Sequence, residues 1–257
     1  MLEPVIGVLI LIAVGLAAGT LGSMLGVGGG IIMVPALTFL NVPPTQAAST
    51  SLIAVTSTSV SSTIEYSRQK KIDYRLSLEM AACAIPGGVL GAFLSDYLPK
   101  DSFKMYFGTL LILTGVYILY KNLILRQGVV KKPSVMLRVL VFVAAFCSGI
   151  ISSLFGVGGG IIFVPAMVLV LGLNMHKAAA TSQLTLLMTS LSGVFTHSFL
   201  GHPDYLQAVV LSTGAFVGAQ IGARISGMAD EMVLQRLLGL MLVAVAITFI
   251  VDGLNLW

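Results

Sequence analysis

The chain has 257 residues, 57% of them hydrophobic and only 9% charged, with a formal net charge of +4. A water-soluble domain carries about 25% charged residues to keep its surface wet, so composition excludes a soluble enzyme, a nucleic-acid binder and a disordered tail. In a bilayer protein Lys and Arg record orientation rather than an acidic partner, and the basic balance is read as topology.

No Asp, Glu, Lys or Arg lies between Pro4 and Ile64, and further charge-free runs cover Met105 to Tyr120, Val139 to His176, Ala178 to Pro203, Tyr205 to Ala223 and Leu237 to Val251. Runs of about 20 such residues mark transmembrane helices. In chain order they predict an apolar helix over 5–24, a glycine break, a short helix over 30–41 and spans over 46–65, 76–97 and 104–121. The basic, Gly/Pro-containing segment Lys121 to Pro133 reads as a loop. After it come a helix over 138–155, a second glycine break, a short helix over 160–172 and spans over 178–198, 206–226 and 233–251. Met1-Leu2-Glu3 lacks the positive region of a signal peptide, so the first helix is expected to stay in the fold. Cys83 and Cys147 lie inside apolar spans and are read as small hydrophobes, not as a disulfide or metal ligands.

Self-similarity fixes the architecture. Gly26-Val27-Gly28-Gly29-Gly30-Ile31-Ile32 recurs as Gly156-Val157-Gly158-Gly159-Gly160-Ile161-Ile162, and Val34-Pro35-Ala36 as Val164-Pro165-Ala166. Ser49-Thr50-Ser51 is answered by Ala180-Thr181-Ser182, and Gly87, Gly91, Ser95 and Gly108 by Gly218, Gly222, Ser226 and Gly239. The chain is therefore read as two copies of one unit, residues 1–125 and 138–257, joined by a cytoplasmic linker over 126–137. A short helix of about 12 residues spans about 18 Å, too little for a hydrocarbon core of about 30 Å. With the helix before it, it forms a hairpin whose outer ends lie on one side. Three further crossings give each copy odd parity, so the copies are inverted. The expected fold is an all-α membrane protein of two inverted-topology repeats, each a glycine-broken helical hairpin plus three transmembrane helices.

The positive charges test that inference independently. The inverted arrangement places Arg68, Lys70, Lys71, Arg75, Lys121, Arg126, Lys131, Lys132, Arg138, Lys177, Arg224 and Arg236 in the cytoplasm and leaves Lys100 and Lys104 outside. A same-way-up arrangement sends Lys177, Arg224 and Arg236 outside as well and fits the positive-inside rule worse. Both termini are thus expected outside. Inverted repeats with broken helices are the pattern of secondary transporters, with the substrate held at mid-membrane.

Unwound backbone survives in hydrocarbon only where protein or a water-filled cavity surrounds it. Each short helix begins directly after the glycines, at Ile31 or Ile161, so its free amides and positive dipole end face the break. Gly28, Gly29, Gly30, Ile31, Gly158, Gly159, Gly160 and Ile161 are therefore expected to bind a small anion. Thr50, Ser51, Thr181, Ser182 and Gln183 are the expected side-chain partners. Thr181, Thr185, Thr189, Ser192 and Thr196 form one helical stripe, which suits either a polar path or hydroxyls bonded back to their own helix. Gly19, Gly22, Gly87, Gly91, Gly218 and Gly222 are read as close-packing positions. Glu65, Glu79, Arg224 and Arg236 fall at membrane boundaries. His176 and His202 are assigned to loops and His197 to a helix end, with no metal site expected. HExxH, GxSxG and a Walker lysine are all missing, so no enzymatic chemistry and no cofactor is expected.

The doubled Gly-Val-Gly-Gly-Gly-Ile-Ile-x-Val-Pro-Ala motif, followed by Ala-Ser-Thr-Ser-Leu in one copy and Ala-Ala-Thr-Ser-Gln in the other, resembles the TauE/SafE family of sulfite-exporter-like membrane permeases. The resemblance spans essentially the whole chain. It implies transport, usually export, of sulfite, a sulfonate or a related organosulfur anion across a prokaryotic inner membrane. The expected partners are that small anion and the lipid bilayer, with no nucleic acid. A passive anion channel and a non-transporting assembly or scaffold protein are the alternatives.

Overall fold

A computed structural model describes residues 2–97, 105, 108–109, 111–113, 115–116 and 135–253. The helices are α1 (Leu2–Leu25), α2 (Gly30–Phe39), α3 (Pro44–Arg68), α4 (Tyr74–Leu94), α5 (Val135–Phe155), α6 (Gly160–Leu169), α7 (Met175–Phe199), α8 (Tyr205–Ser226) and α9 (Glu231–Gly253), with a 3-10 turn over Ser95–Tyr97. No strand occurs among the described residues. Residues 105, 108–109, 111–113 and 115–116 are helical. The rest of the expected span over 104–121, and the expected loop Lys121 to Pro133, lie outside the described residues.

Local chemistry sets the helix ends. Asp73, Asn174 and Asp204 cap α4, α7 and α8 by accepting the N–H of Leu76, Lys177 and Gln207. The short helices stop sooner than hydropathy suggests. Asn41 turns left-handed at φ 60° after α2, and Gly172 at φ 67° after α6, so each helix has 10 residues and a length of about 15 Å. At the other boundary, α5 begins at Val135 and takes the end of the expected linker into the helix.

Among the described residues four helical stretches are long and apolar enough to cross a membrane: Ile6–Leu25, Tyr74–Tyr97, Met136–Phe155 and Tyr205–Ser226. The helices α3 and α7 have 25 residues each, about 37 Å, and are rich in Ser and Thr. Their buried hydroxyls, Ser49, Thr50, Ser51, Thr58 and Ser59 on one and Thr181, Ser182, Thr185, Thr189 and Ser190 on the other, are fully enclosed. Packed at the centre, all of these but Ser59 find a hydrogen-bond partner inside the protein, so the two helices do not need an apolar exterior.

Small residues bring the helices together. Against α8, α1 runs parallel, and a Cβ on Gly214, Gly218 or Gly222 would overlap the backbone of Ile12, Leu16 or Thr20. Against α5, α4 does the same, with Gly87 on Phe146 and Gly91 on Ile150. Gly19 and Gly22 are equally tight, so all six glycines read as packing positions serve that purpose. Along α8, α3 runs parallel, with Ser57 donating to the Ser212 carbonyl, Ser61 to that of Phe216 and Gln69 to that of Ala223. Along α7, α4 runs parallel, through Asp73 to Thr181 and Ser77 to Thr185. The two central helices, α3 and α7, are antiparallel, with Leu52 near Gly193, Thr56 bonded to Ser190 and Ser62 to Gln183.

One end of the bundle collects basic side chains. Glu65 lies 3.9 Å from Arg68 and 3.6 Å from Arg224; Arg75 and Arg138 line a shared cleft with Asp73 and Glu79. Glu79 is 2.9 Å from Arg75. The opposite end holds Asp96, His202 and Asp204.

Candidate functional site

The two glycine segments turn their helices back and meet each other. In both, the middle glycine is left-handed, Gly28 at φ 89° and Gly158 at φ 76°, a conformation that side chains rarely adopt. Gly30 lies against the backbone of Gly156 and Val157, and Gly160 against that of Gly26 and Val27, so tightly that a Cβ at either would overlap the opposing chain. Val55 and Leu186 touch both Gly28 and Gly158 from the central helices. The contact is enclosed, with every residue from Gly22 to Ile31 and from Phe155 to Ile161 buried. No charged side chain is present in either segment.

Main-chain amides decide the electrostatics. In the first tip, Gly26 donates to Ser23, and Val27 and Gly28 both donate to the Gly22 carbonyl. The amides of Gly29, Gly30 and Ile31 meet no acceptor among the described residues, and α2 has no side-chain cap. In the second tip Gly156 donates to Ser152 and Gly160 to Gly158, while Gly158, Gly159 and Ile161 find no acceptor there, and α6 is likewise uncapped. Buried unpaired amides are rare. Here they stand at the positive ends of two helix dipoles, where an anion is stabilised.

The expected side-chain partners divide. Ser51 donates to the Gly156 carbonyl at 2.5 Å and Ser182 to the Gly26 carbonyl at 2.6 Å, each reaching the tip of the other half. Gln183 donates to the Gly22 carbonyl at 3.0 Å and accepts from Ser62 at 2.9 Å. Thr50 and Thr181 point elsewhere. Their hydroxyls accept the backbone N–H of Asp204 and Asp73, both at 3.0 Å, and so hold the loops that start α8 and α4. Neighbouring helical positions differ by about 100°, so a Thr-Ser pair cannot present both hydroxyls to one point. In the hydroxyl stripe, Thr185, Thr189, Ser192 and Thr196 donate to the carbonyls of Thr181, Thr185, Thr189 and Ser192. The stripe bonds to its own helix.

Sequence reading missed several groups beside the tips. Ser148 donates to the Gly159 carbonyl at 2.6 Å. Tyr66, fully buried, donates to the Ser23 carbonyl at 2.9 Å. His176 belongs to the first turn of α7 rather than to a loop. His197 and His202 join through their Nδ1 atoms at 2.9 Å. The repeat offset that pairs Thr50 with Thr181 also pairs Tyr66 with His197, and was the available signal. No cluster of three His, Cys, Asp or Glu suited to a metal occurs among the described residues.

The family model described as "Sulfite exporter TauE/SafE" matches residues 11–249. The "Probable membrane transporter protein YunE" of Bacillus subtilis (strain 168) is 32% identical over 267 residues, covering 95% of this chain and 98% of the relative. "Probable membrane transporter protein ORF9" of Sinorhizobium sp is 29% identical, covering 93% of this chain and 92% of its own. "Probable membrane transporter protein YfcA" of Escherichia coli (strain K12) is 28% identical over 88% of this chain and 82% of its own. No solved structure matches. The protein is an integral membrane transporter and not an enzyme, and the chain belongs to the TauE/SafE sulfite exporter family.

Proposed function

We propose that the protein is a secondary transporter that exports a small oxyanion, such as sulfite or an organosulfonate, across the prokaryotic inner membrane. The observation that carries this reading is the pair of bare helix starts. The amides of Gly29, Gly30 and Ile31 and of Gly158, Gly159 and Ile161 meet no acceptor among the described residues, and neither glycine segment carries a Lys or Arg to hold an anion permanently. Backbone donors neutralise an oxyanion without fixing a buried counter-charge, so the ligand can leave again.

The two halves are inverted in this reading, with both termini outside and the basic end cytoplasmic. Support comes from α3 and α7, which hold equivalent places in the halves and run antiparallel. A two-fold axis relating them must lie across the helices. Alternating access then follows from rocking one half against the other about the tip contact. A passive channel would need a continuous hydrated route, and the buried, mutually touching tips lie across it. The name of the family, not the geometry, supplies sulfur as the expected centre of the anion.

Melting of the purified protein against sulfite, sulfate, thiosulfate, taurine and sulfoacetate tests this. A ligand at 100 times its Kd stabilises the folded state by about 2.7 kcal/mol. Saturable, trans-stimulated flux of the same anion in liposomes is the expected companion result. A protein that melts identically with all five and moves none of them refutes the reading.

A further inference from the structure

The two halves differ at one symmetry-related pair. Tyr66 and His197 occupy equivalent positions and do the same thing: Tyr66 donates to the carbonyl of Ser23 at the end of α1, and His197 Nε2 lies 3.0 Å from the carbonyl of Ser153 at the end of α5. Each ties a central helix to a hairpin. The tyrosine hydroxyl keeps its proton at physiological pH. A histidine does not behave that way.

Counting hydrogens along the histidine side gives an odd result. Three contacts lie in series: Ser153 O to His197 Nε2 at 3.0 Å, His197 Nδ1 to His202 Nδ1 at 2.9 Å, and His202 Nε2 to Asp96 Oδ1 at 2.9 Å. Each contact needs one hydrogen. A carbonyl and a carboxylate supply none, and a neutral imidazole supplies one. Two neutral rings leave the line one proton short. His197 must spend its hydrogen on Ser153, which makes its Nδ1 an acceptor; the one hydrogen of His202 then serves either that Nδ1 or Asp96, and its other contact is left as one acceptor facing another. One added proton, carried on His202, completes all three.

The line runs from surface to interior. Asp96 is 44% exposed, His202 15%, and His197 fully buried. His202 and Asp96 are the ionisable groups that act on His197. The nearby turns of α3 (44–51), α4 (88–94) and α5 (150–155) contain no ionisable residue. Asp204 is engaged as the α8 cap. In the other half Lys71 and Gly227 stand where His202 and Asp96 would be, so a titratable chain exists on one side only.

We propose that Asp96, His202 and His197 form a one-proton binding site, at the end of the bundle away from the basic cluster, whose occupancy completes the line of contacts from the turn after α4, through the loop before α8, to the end of α5. Proton loss leaves the Ser153–His197 bond in place and breaks one of the two contacts of His202, so the loop before α8 is no longer held at both His197 and Asp96. Resting on the transporter reading, this makes anion movement respond to proton concentration on that face.

Asp96→Asn provides the test, because its amide NH2 donates the missing hydrogen to His202 without an added proton. The third contact contributes stability while the line holds its added proton, and that contribution is lost as rising pH removes the proton. Melting of the purified protein from pH 5.5 to 8.5 should fall by about 3–6 °C more in the wild type than in Asp96→Asn. His202→Gln, which cannot carry the charge, should flatten the profile at its lower level. Flux into liposomes should depend on pH at that face in the wild type and lose the dependence in both variants. Parallel melting profiles in all three proteins overturn the proposal, as does pH-dependent flux retained in His202→Gln. A variant-sensitive melting profile without flux of any anion leaves the proton site standing and refutes the transporter reading instead.

Discussion

Replacing Ser51 or Ser182 by alanine probes the tip contact most directly. Each hydroxyl is fully buried and donates to a carbonyl of the opposite hairpin, at 2.5 and 2.6 Å. Deleting the oxygen removes few packed atoms, so the cost is dominated by a buried carbonyl left without its donor, about 1–3 kcal/mol. For a chain of this size that corresponds to a fall in Tm of about 3–10 °C. Ser51 also lies 3.0 Å from the carbonyl of Ala48 in its own helix, but its single hydrogen serves the shorter contact, so the two variants should cost nearly the same. The double variant should cost less than the sum, because both bonds clamp one contact and the second loosens once the first is gone. Thermal melts in detergent of both single variants and the double decide this. A large loss for one serine with none for the other would refute the reciprocal clamp, and strict additivity would show the tips to be independent.

Gly30→Ala and Gly160→Ala should each prevent a stable fold or lower Tm sharply, because the new methyl meets opposing backbone that cannot move aside. Gly7→Ala, with open space around it, should instead gain about 0.5–1 kcal/mol in the same melts. Thr50→Val and Thr181→Val should lower Tm by unpinning the Asp204 and Asp73 loops while leaving the anion Kd within about twofold, a change below 0.5 kcal/mol; a tenfold loss of affinity in either would place these hydroxyls at the site. Tyr66→Phe leaves the Ser23 carbonyl without its donor and should cost about 1–2 kcal/mol in a urea or thermal titration, with no change in its pH dependence.

Much of this protein is legible in its amino-acid sequence. Charge-free runs gave the helices, since an ionised side chain in hydrocarbon costs several kcal/mol, and the repeated Gly-Val-Gly-Gly-Gly located both breaks, since three successive glycines do not hold a helix. Packing glycines were legible for the same covalent reason: a stripe of missing side chains has one main use between helices. Termination of α2 at Phe39 was not, because Asn41 in a left-handed turn is a local choice that hydropathy does not register.

The sequence by itself determined what each residue could offer: uncapped amides after the glycines, hydroxyls on α3 and α7, a histidine in place of a tyrosine. Only the tertiary structure decided what each offer meets. It turned Ser51 and Ser182 toward the opposing tips and Thr50 and Thr181 toward the loops, and it carried Asp96 across more than a hundred residues of chain to His202. Hydrogen bonds are short and directional, so a partner half a chain away can be named only when the helices that carry it have been placed.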